Sequence, residues 1–270
     1  MNKTFFQWLP LFAFVVLGMS ACDKTETIDG LGDVVIEMDN RAGDDELVFG
    51  TKYVTANGDT IQFSTFNYFV SNFVLVNEDG SEYTVPKEDC YFLCKHEDAD
   101  SRELTLRNVP AGNYKSVKFT IGVDSLKSVS PAAERTGVLD PTGGAAGMYW
   151  SWNAGYIFVK VEGTSPQAPI DVNTNERTLQ YHTGLFGGKD SPTLNNLKKV
   201  TINTTSETAH VRKSHEAPVF HLYVDVLEMF TSPTNINVAL NPTSHAGPYS
   251  ATVANNYADM FTLDHVHNHD

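Results

Sequence analysis

Basic residues are scarce in this sequence: 19 lysines and arginines stand against 33 acidic residues, a formal charge of −14. A field of that sign repels phosphate backbones and anionic lipid surfaces over a Debye length, so nucleic acid is a poor partner, and it favours cations. Charged residues of both signs make up only 19% of the chain, whereas hydrophobic residues make up 41% and aromatic residues 11%, which supplies a real core and excludes wholesale disorder. Also missing are a phosphate-cradling glycine motif, a Gly-x-Ser-x-Gly elbow and a His-Glu-x-x-His helix, so catalysis has no sequence support and an enzyme is not expected. No apolar run after Cys22 is long enough to cross a bilayer.

What is present first is an address. Residues 1–21 open with Lys3, run apolar from Trp8 to Leu17 and end in Gly18-Met19-Ser20-Ala21, an export signal rather than a spanning helix. Met19-Ser20-Ala21-Cys22 resembles a bacterial lipobox, which implies lipidation of Cys22 and a protein tethered in the cell envelope, periplasmic or at the outer membrane. Residues 22–31 then read as a polar tether, and 32–270 as one domain. Cys90 and Cys94 are left for an oxidising compartment, where a disulfide is the first expectation. On one extended strand, however, their Cα atoms would stand about 13 Å apart, so the bond requires the chain to turn back at Tyr91-Phe92-Leu93. Two packed thiols, or a soft-metal site with His96, are the alternatives.

Period-two alternation of β-branched and aromatic residues marks strands over Asp33–Met38, Thr60–Ser64, Tyr68–Val76, Glu82–Val85, Leu104–Leu106, Ser116–Ile121, Met148–Trp152, Gly155–Val161, Thr178–His182, Lys198–Ile202 and Val219–Val226. Asn77-Glu78-Asp79-Gly80 predicts a hairpin, and Pro110 with Gly112 a corner. Residues 124–147 form a loop far longer than ordinary connections, with a turn or two of helix between 124 and 140. Many short strands joined by turn clusters predict an all-β fold, an antiparallel β-sandwich of immunoglobulin-like or Greek-key type with long loops. The acidic stretch Asp39–Glu46 offers hard oxygen donors but lacks the spacing of a calcium loop and reads as a solvated turn.

Met148, Trp150 and Trp152 alternate, so an extended segment would project all three from one face. The stretch Gly147-Met148-Tyr149-Trp150-Ser151-Trp152-Asn153-Ala154-Gly155-Tyr156-Ile157-Phe158, with the upstream Leu139-Asp140-Pro141, resembles the Trp-x-Trp signature of the methanobactin-associated copper-binding MbnP family. Tyr68-Phe69-Val70-Ser71-Asn72, Gly122-Val123-Asp124-Ser125, Tyr181-His182-Thr183-Gly184 and Asn255–Phe261 are similar to it as well. The resemblance implies a copper(I)-binding protein, acting in copper acquisition or homeostasis, in which Trp150 is oxidised to kynurenine by a partner dihaem cytochrome c peroxidase-like (MbnH-like) enzyme. The chemistry is coherent: indole nitrogen only donates, whereas kynurenine carries an arylamine with a usable lone pair. Trp152 is expected to support that oxidation. Copper(I) prefers imidazole and sulfur, which nominates His182 with His265 and His267 as ligands beside the modified Trp150, and His245 and Met148 as reserves. His221, inside an apolar strand, reads as packed. The rival reading is a surface lipoprotein that binds glycan or protein through exposed Tyr149, Trp150 and Trp152.

Overall fold

The computed structural model describes residues 28–172 and 174–269; the leader, Cys22 and most of the tether fall outside the described residues. Among the described residues no helix is long and apolar enough to cross a membrane. Sixteen strands follow in chain order: β1 (Leu31–Ala42), β2 (Asp45–Glu46), β3 (Lys52–Val54), β4 (Thr60–Asn77), β5 (Glu82–Thr84), β6 (Tyr91–Lys95), β7 (Glu103–Pro110) and β8 (Gly112–Ile121), then β9 (Tyr149–Trp150), β10 (Gly155–Thr164), β11 (Thr178–Gly184), β12 (Lys198–Asn203), β13 (Ala209–Val211), β14 (Val219–Asp225), β15 (Thr243–Ser244) and β16 (Phe261–His267). Among the described residues two α-helices interrupt them, α1 (Ser125–Ser128) and α2 (Ser250–Tyr257).

The strands make two sheets facing each other in an all-β, sandwich-like fold. The five-stranded sheet runs β16-β14-β1-β2, with β7 also paired to β1; the eleven-stranded sheet runs β12-β8-β4-β10-β11-β15, with the shorter strands attached to β4, β8 and β10. Pairing is antiparallel except for β1 with β14 and β11 with β15, which are parallel, a departure from the purely antiparallel expectation. Alternation explains the layers. Val34, Ile36 and Met38 of β1 and Phe220, Leu222 and Val224 of β14 are fully buried, facing Phe63, Phe73, Val117 and Val161 of the larger sheet in one core.

The two segments expected at 60–64 and 68–76 are one continuous strand, β4: the register against β10 slips between Phe63 and Thr65, with Ser64 the extra residue, and this bulge lets both Phe63 and Phe66 be buried although they are an odd number of residues apart. The predicted hairpin forms, with Leu75 opposite Tyr83. The corner at Pro110-Ala111-Gly112 does more than turn: β7 belongs to the smaller sheet and β8 to the larger, so the chain changes layer there, with Ala111 N–H donating to Gly30 C=O at 2.9 Å.

The long segment 124–147 is irregular apart from α1 and two 3₁₀ turns, as its composition indicated. It is nevertheless closed onto a satellite core of Phe69, Leu93, Val123, Leu139, Ala145, Met148, Tyr156, Ile157, Phe158 and Phe186. The Tyr156 hydroxyl donates to Leu139 C=O at 2.6 Å and ties the loop to β10. This satellite core positions the tryptophans.

Candidate metal centres

Only Tyr149 and Trp150 of the expected strand 148–152 are extended; Ser151–Ala154 form a turn that returns the chain into β10, with Trp150 opposite Gly155. The turn breaks the one-face arrangement of Met148, Trp150 and Trp152. Met148 is buried in the satellite core, Trp150 is half-buried against it, and Trp152 is 52% exposed. The two indoles stack, their centroids 5.5 Å apart and their planes inclined by 30°. Asn153 fixes the turn: its side-chain oxygen accepts from Lys189 N–H at 2.8 Å and Asp190 N–H at 2.7 Å, and its amide donates to Ser191 C=O at 2.9 Å.

Trp150 lies over Gly184 of β11. A Cβ at Gly184 would stand 3.0 Å from the indole Cζ3 and 2.3 Å from Tyr156 C=O, so only glycine allows the ring and the neighbouring strand to come this close. Two residues earlier on β11, and therefore on the same face, is His182. Its Nε2 is 2.7 Å from Glu162 Oε1, and Glu162 also accepts from Thr65 Oγ1 at 3.0 Å and pairs with Lys160 at 3.4 Å. With Nε2–H given to the carboxylate, Nδ1 carries the lone pair, the arrangement that orients a metal-binding imidazole. His245, next to β15, meets the His182 ring edge-on with centroids 5.0 Å apart.

Burial lowers the pKa of His182; the Glu162 hydrogen bond opposes this, and Lys160 and His245 reinforce it. Partial burial of the His245 ring lowers its pKa too, although the residue as a whole is exposed. For Glu162, burial pushes upward, but the His182 hydrogen bond, Lys160 and Thr65 overcome it and hold the carboxyl below its ordinary range. The corner therefore carries two imidazoles whose pKa values are lowered, one of them on the same face of β11 as the glycine under Trp150.

The other nominated histidines are elsewhere. His265 and His267 lie on β16, the edge of the smaller sheet, so they do not join His182 on the larger one; sequence order gave no sign of this separation. Their neighbourhood holds residues that sequence reasoning passed over. His221, Asp264 and His265 are, among the described residues, the one set of three His, Cys, Asp or Glu groups whose donor atoms all lie within 4.8 Å of one another. His221 is not packed away: with Phe220 and Leu222 pointing inward, alternation sends it to the outer face. That signal was available in the strand pattern.

The cysteine expectation is corrected. Cys90 and Cys94 are both free and buried. Cys94 sits in β6 opposite Tyr68, and the extended run Tyr91–Lys95 does not turn back as a disulfide would need. Burial pushes the Cys94 thiol up to about 12 and raises Cys90 as well. His96 packs its ring against Phe49 at 4.5 Å, and the three form no metal-binding set.

A family profile described as MbnP matches residues 31–247. The chain belongs to the MbnP family. That places it, as the sequence resemblance implied, in a methanobactin-associated, copper-related group of extracytoplasmic proteins. Comparison with curated proteins finds no match. Among solved structures, MbnP from Methylosinus trichosporium is similar with a TM-score of 0.52 and 18% identity over 80% of this chain and 81% of that one, a likeness of fold. The MbnP match takes in Trp150, Trp152, Glu162, His182 and His245 and stops short of Asp264 and His265.

Proposed function

We propose that this MbnP family member is a lipid-anchored cell-envelope protein that holds copper(I) at the Trp150–His182–His245 corner once Trp150 has been rebuilt to kynurenine, and that it binds the ion without catalysing a reaction. The observation that carries the reading is the placement of the Trp150 ring over Gly184, on the face of β11 that bears His182 and, through it, His245. A cuprous ion takes soft or imidazole donors. As encoded, the corner offers two neutral imidazoles and an indole that has no lone pair to give.

Rebuilding the ring supplies the third donor. The indole C2–C3 bond is cleaved as two oxygen atoms are added, a four-electron oxidation that consumes two molecules of hydrogen peroxide and releases two of water. Hydrolysis then releases the former C2 as formate and frees the arylamine. The oxidising equivalents come from the dihaem peroxidase-like partner. Trp152, exposed and stacked on Trp150, is the ring through which an electron leaves toward that partner without the partner reaching the half-buried indole itself. The same stack argues against a glycan platform, since Trp150 and Tyr149 are half-buried and Trp152 alone is open.

Intact-mass measurement and peptide mapping of protein purified from a host expressing the peroxidase partner test this. Conversion at Trp150 is expected, with one copper(I) retained against a competing chelator and an affinity about a hundredfold or more weaker in Trp150→Phe. An unmodified Trp150 in copper-replete cells with the partner present would overturn the proposal. Equal copper(I) affinity in the modified wild type and in His182→Gln/His245→Gln would remove the two histidines from it.

A further inference from the structure

The outer face of the smaller sheet carries a row of metal-binding side chains across three strands. Glu37 on β1 is in register with His221 on β14, and His221 with His265 on β16. Between Leu263 and His265 the register slips by one residue, because Leu222 pairs with Leu263 and leaves Asp264 as the extra residue of a β-bulge. A regular strand would send Asp264 and His265 to opposite faces; the bulge leaves both exposed while Leu263 and Val266 remain turned inward. Asp264 Oδ2 is consequently 2.8 Å from His265 Nδ1 and 3.0 Å from His221 Nδ1, and the two imidazole rings stack at 5.0 Å with 27° between their planes.

One atom in this group is out of place for a purely structural ion pair. His221 Nδ1 is buried and makes no hydrogen bond, although the Asp264 carboxylate is 3.0 Å away: distance allows the bond and alignment does not. Donors that converge on a shared cation have this relation. At metal–ligand lengths of about 2.0–2.1 Å they stand roughly 3 Å from each other; His265 Nδ1 is hydrogen-bonded to Asp264 Oδ2 at 2.8 Å, and a shared cation would take the place of that proton. The surroundings fit. The Tyr223 ring meets His221 edge-on with centroids 5.6 Å apart, and Glu37 Oε1 lies 3.7 Å from His221 Nε2, on the far side of the ring from Nδ1, where a carboxylate backs a ligating histidine. His267 and His269 form a separate contact further along, with rings 4.4 Å apart and His269 Nδ1 3.4 Å from Glu216.

We propose that His221 Nδ1, His265 Nδ1 and Asp264 Oδ2 form a second metal site, for a divalent cation of the zinc(II) and copper(II) class, with no ligand in common with the tryptophan corner. Two imidazoles and one carboxylate leave a fourth position for water, and a hard oxygen in the set favours a divalent over a cuprous ion. Binding selects the Nε2–H tautomer of both histidines. In His265 that proton faces solvent, and in His221 it faces Glu37. The inference does not depend on modification of Trp150.

Zinc(II) titration of the chain made in a host lacking the peroxidase partner, so that Trp150 stays indole, tests it. One equivalent is expected in wild type and in His182→Gln/His245→Gln, with binding about a hundredfold weaker in Asp264→Asn and in His265→Gln. Both substitutions are at exposed positions, and circular dichroism checks the fold. As a second measurement on unaltered protein, the Nδ1 nitrogen resonances of His221 and His265 shift on zinc addition. Equal affinity in Asp264→Asn and His265→Gln, unmoved Nδ1 resonances, or loss of zinc in the His182/His245 variant would overturn the site. None of these results bears on kynurenine formation or copper(I) binding.

Discussion

The tryptophan corner and the sheet-edge cluster each assemble two histidines near one carboxylate, yet they surround the nitrogen atoms differently. At the corner His182 is packed between β10 and β11 while His245 stays exposed beside it, the partial burial of both lowers their pKa values, and the carboxylate of Glu162 grips the rear of His182. At the edge Asp264 and His265 are exposed and the carboxylate stands among the donor atoms. Neutral nitrogen with no anion among the donors suits a soft monovalent ion; a donor set that includes an anionic oxygen suits a divalent one. The position of the carboxylate, behind the ring or beside it, is what separates the two chemistries.

The corner depends on close packing and the edge does not, which ranks the experiments. Gly184→Val should have the largest effect, because its Cβ would collide with Tyr156 C=O and the Trp150 ring. About 3 kcal/mol of stability should be lost in urea unfolding, and a loss near zero would mean that the indole does not rest on β11. Asn153→Ala comes next, since it removes the bonds from Lys189 and Asp190 and the one to Ser191: about 1–2 kcal/mol, together with slower conversion of Trp150 by the peroxidase, measured by mass against time. Asp264→Asn, at the exposed edge, should stay within about 0.5 kcal/mol of wild type in the same assay; a cost comparable to Asn153→Ala would show that the edge is structural.

The smallest effect is on pH dependence. A histidine whose folded pKa lies below its unfolded value near 6.5 binds its proton more readily in the unfolded chain. The contribution of neutral His182 and His245 is therefore complete above that value and is lost as pH falls through the window down to their lowered folded values. Urea midpoints between pH 8 and pH 5 should fall less steeply in His182→Gln/His245→Gln than in wild type.

The strands with regular alternation were legible: β1 and β14 bury every second side chain, and those residues can be counted off in the sequence, whereas β8 and β10 are buried on both faces over much of their length and showed as apolar runs. The helix α2 was not, because Ser-Ala-Thr-Val-Ala-Asn-Asn-Tyr has two β-branched residues, two asparagines and an apolar stripe of only three residues; it is held by burial of that stripe, Val253, Ala254 and Tyr257, and by Asn256 donating to Met229 C=O and Thr234 C=O. At the corner, Trp150 and His182 could be nominated from residue type and resemblance, but Glu162 could not, since its place beside His182 depends on the register of β10 with β11. At the edge, the parallel return that brings β14 beside β1 and the bulge at Asp264 are both non-local or irregular, and no periodicity announces either.

The two thiols in the interior carry a consequence for how the molecule matures. With Cys90 and Cys94 enclosed and unpaired, the domain reaches its native state without a dithiol oxidase, and reducing or oxidising surroundings leave its stability where it was. For a soft, thiol-seeking ion arriving from outside, sulfur at these two positions is out of reach, and nitrogen becomes the donor the surface has to offer.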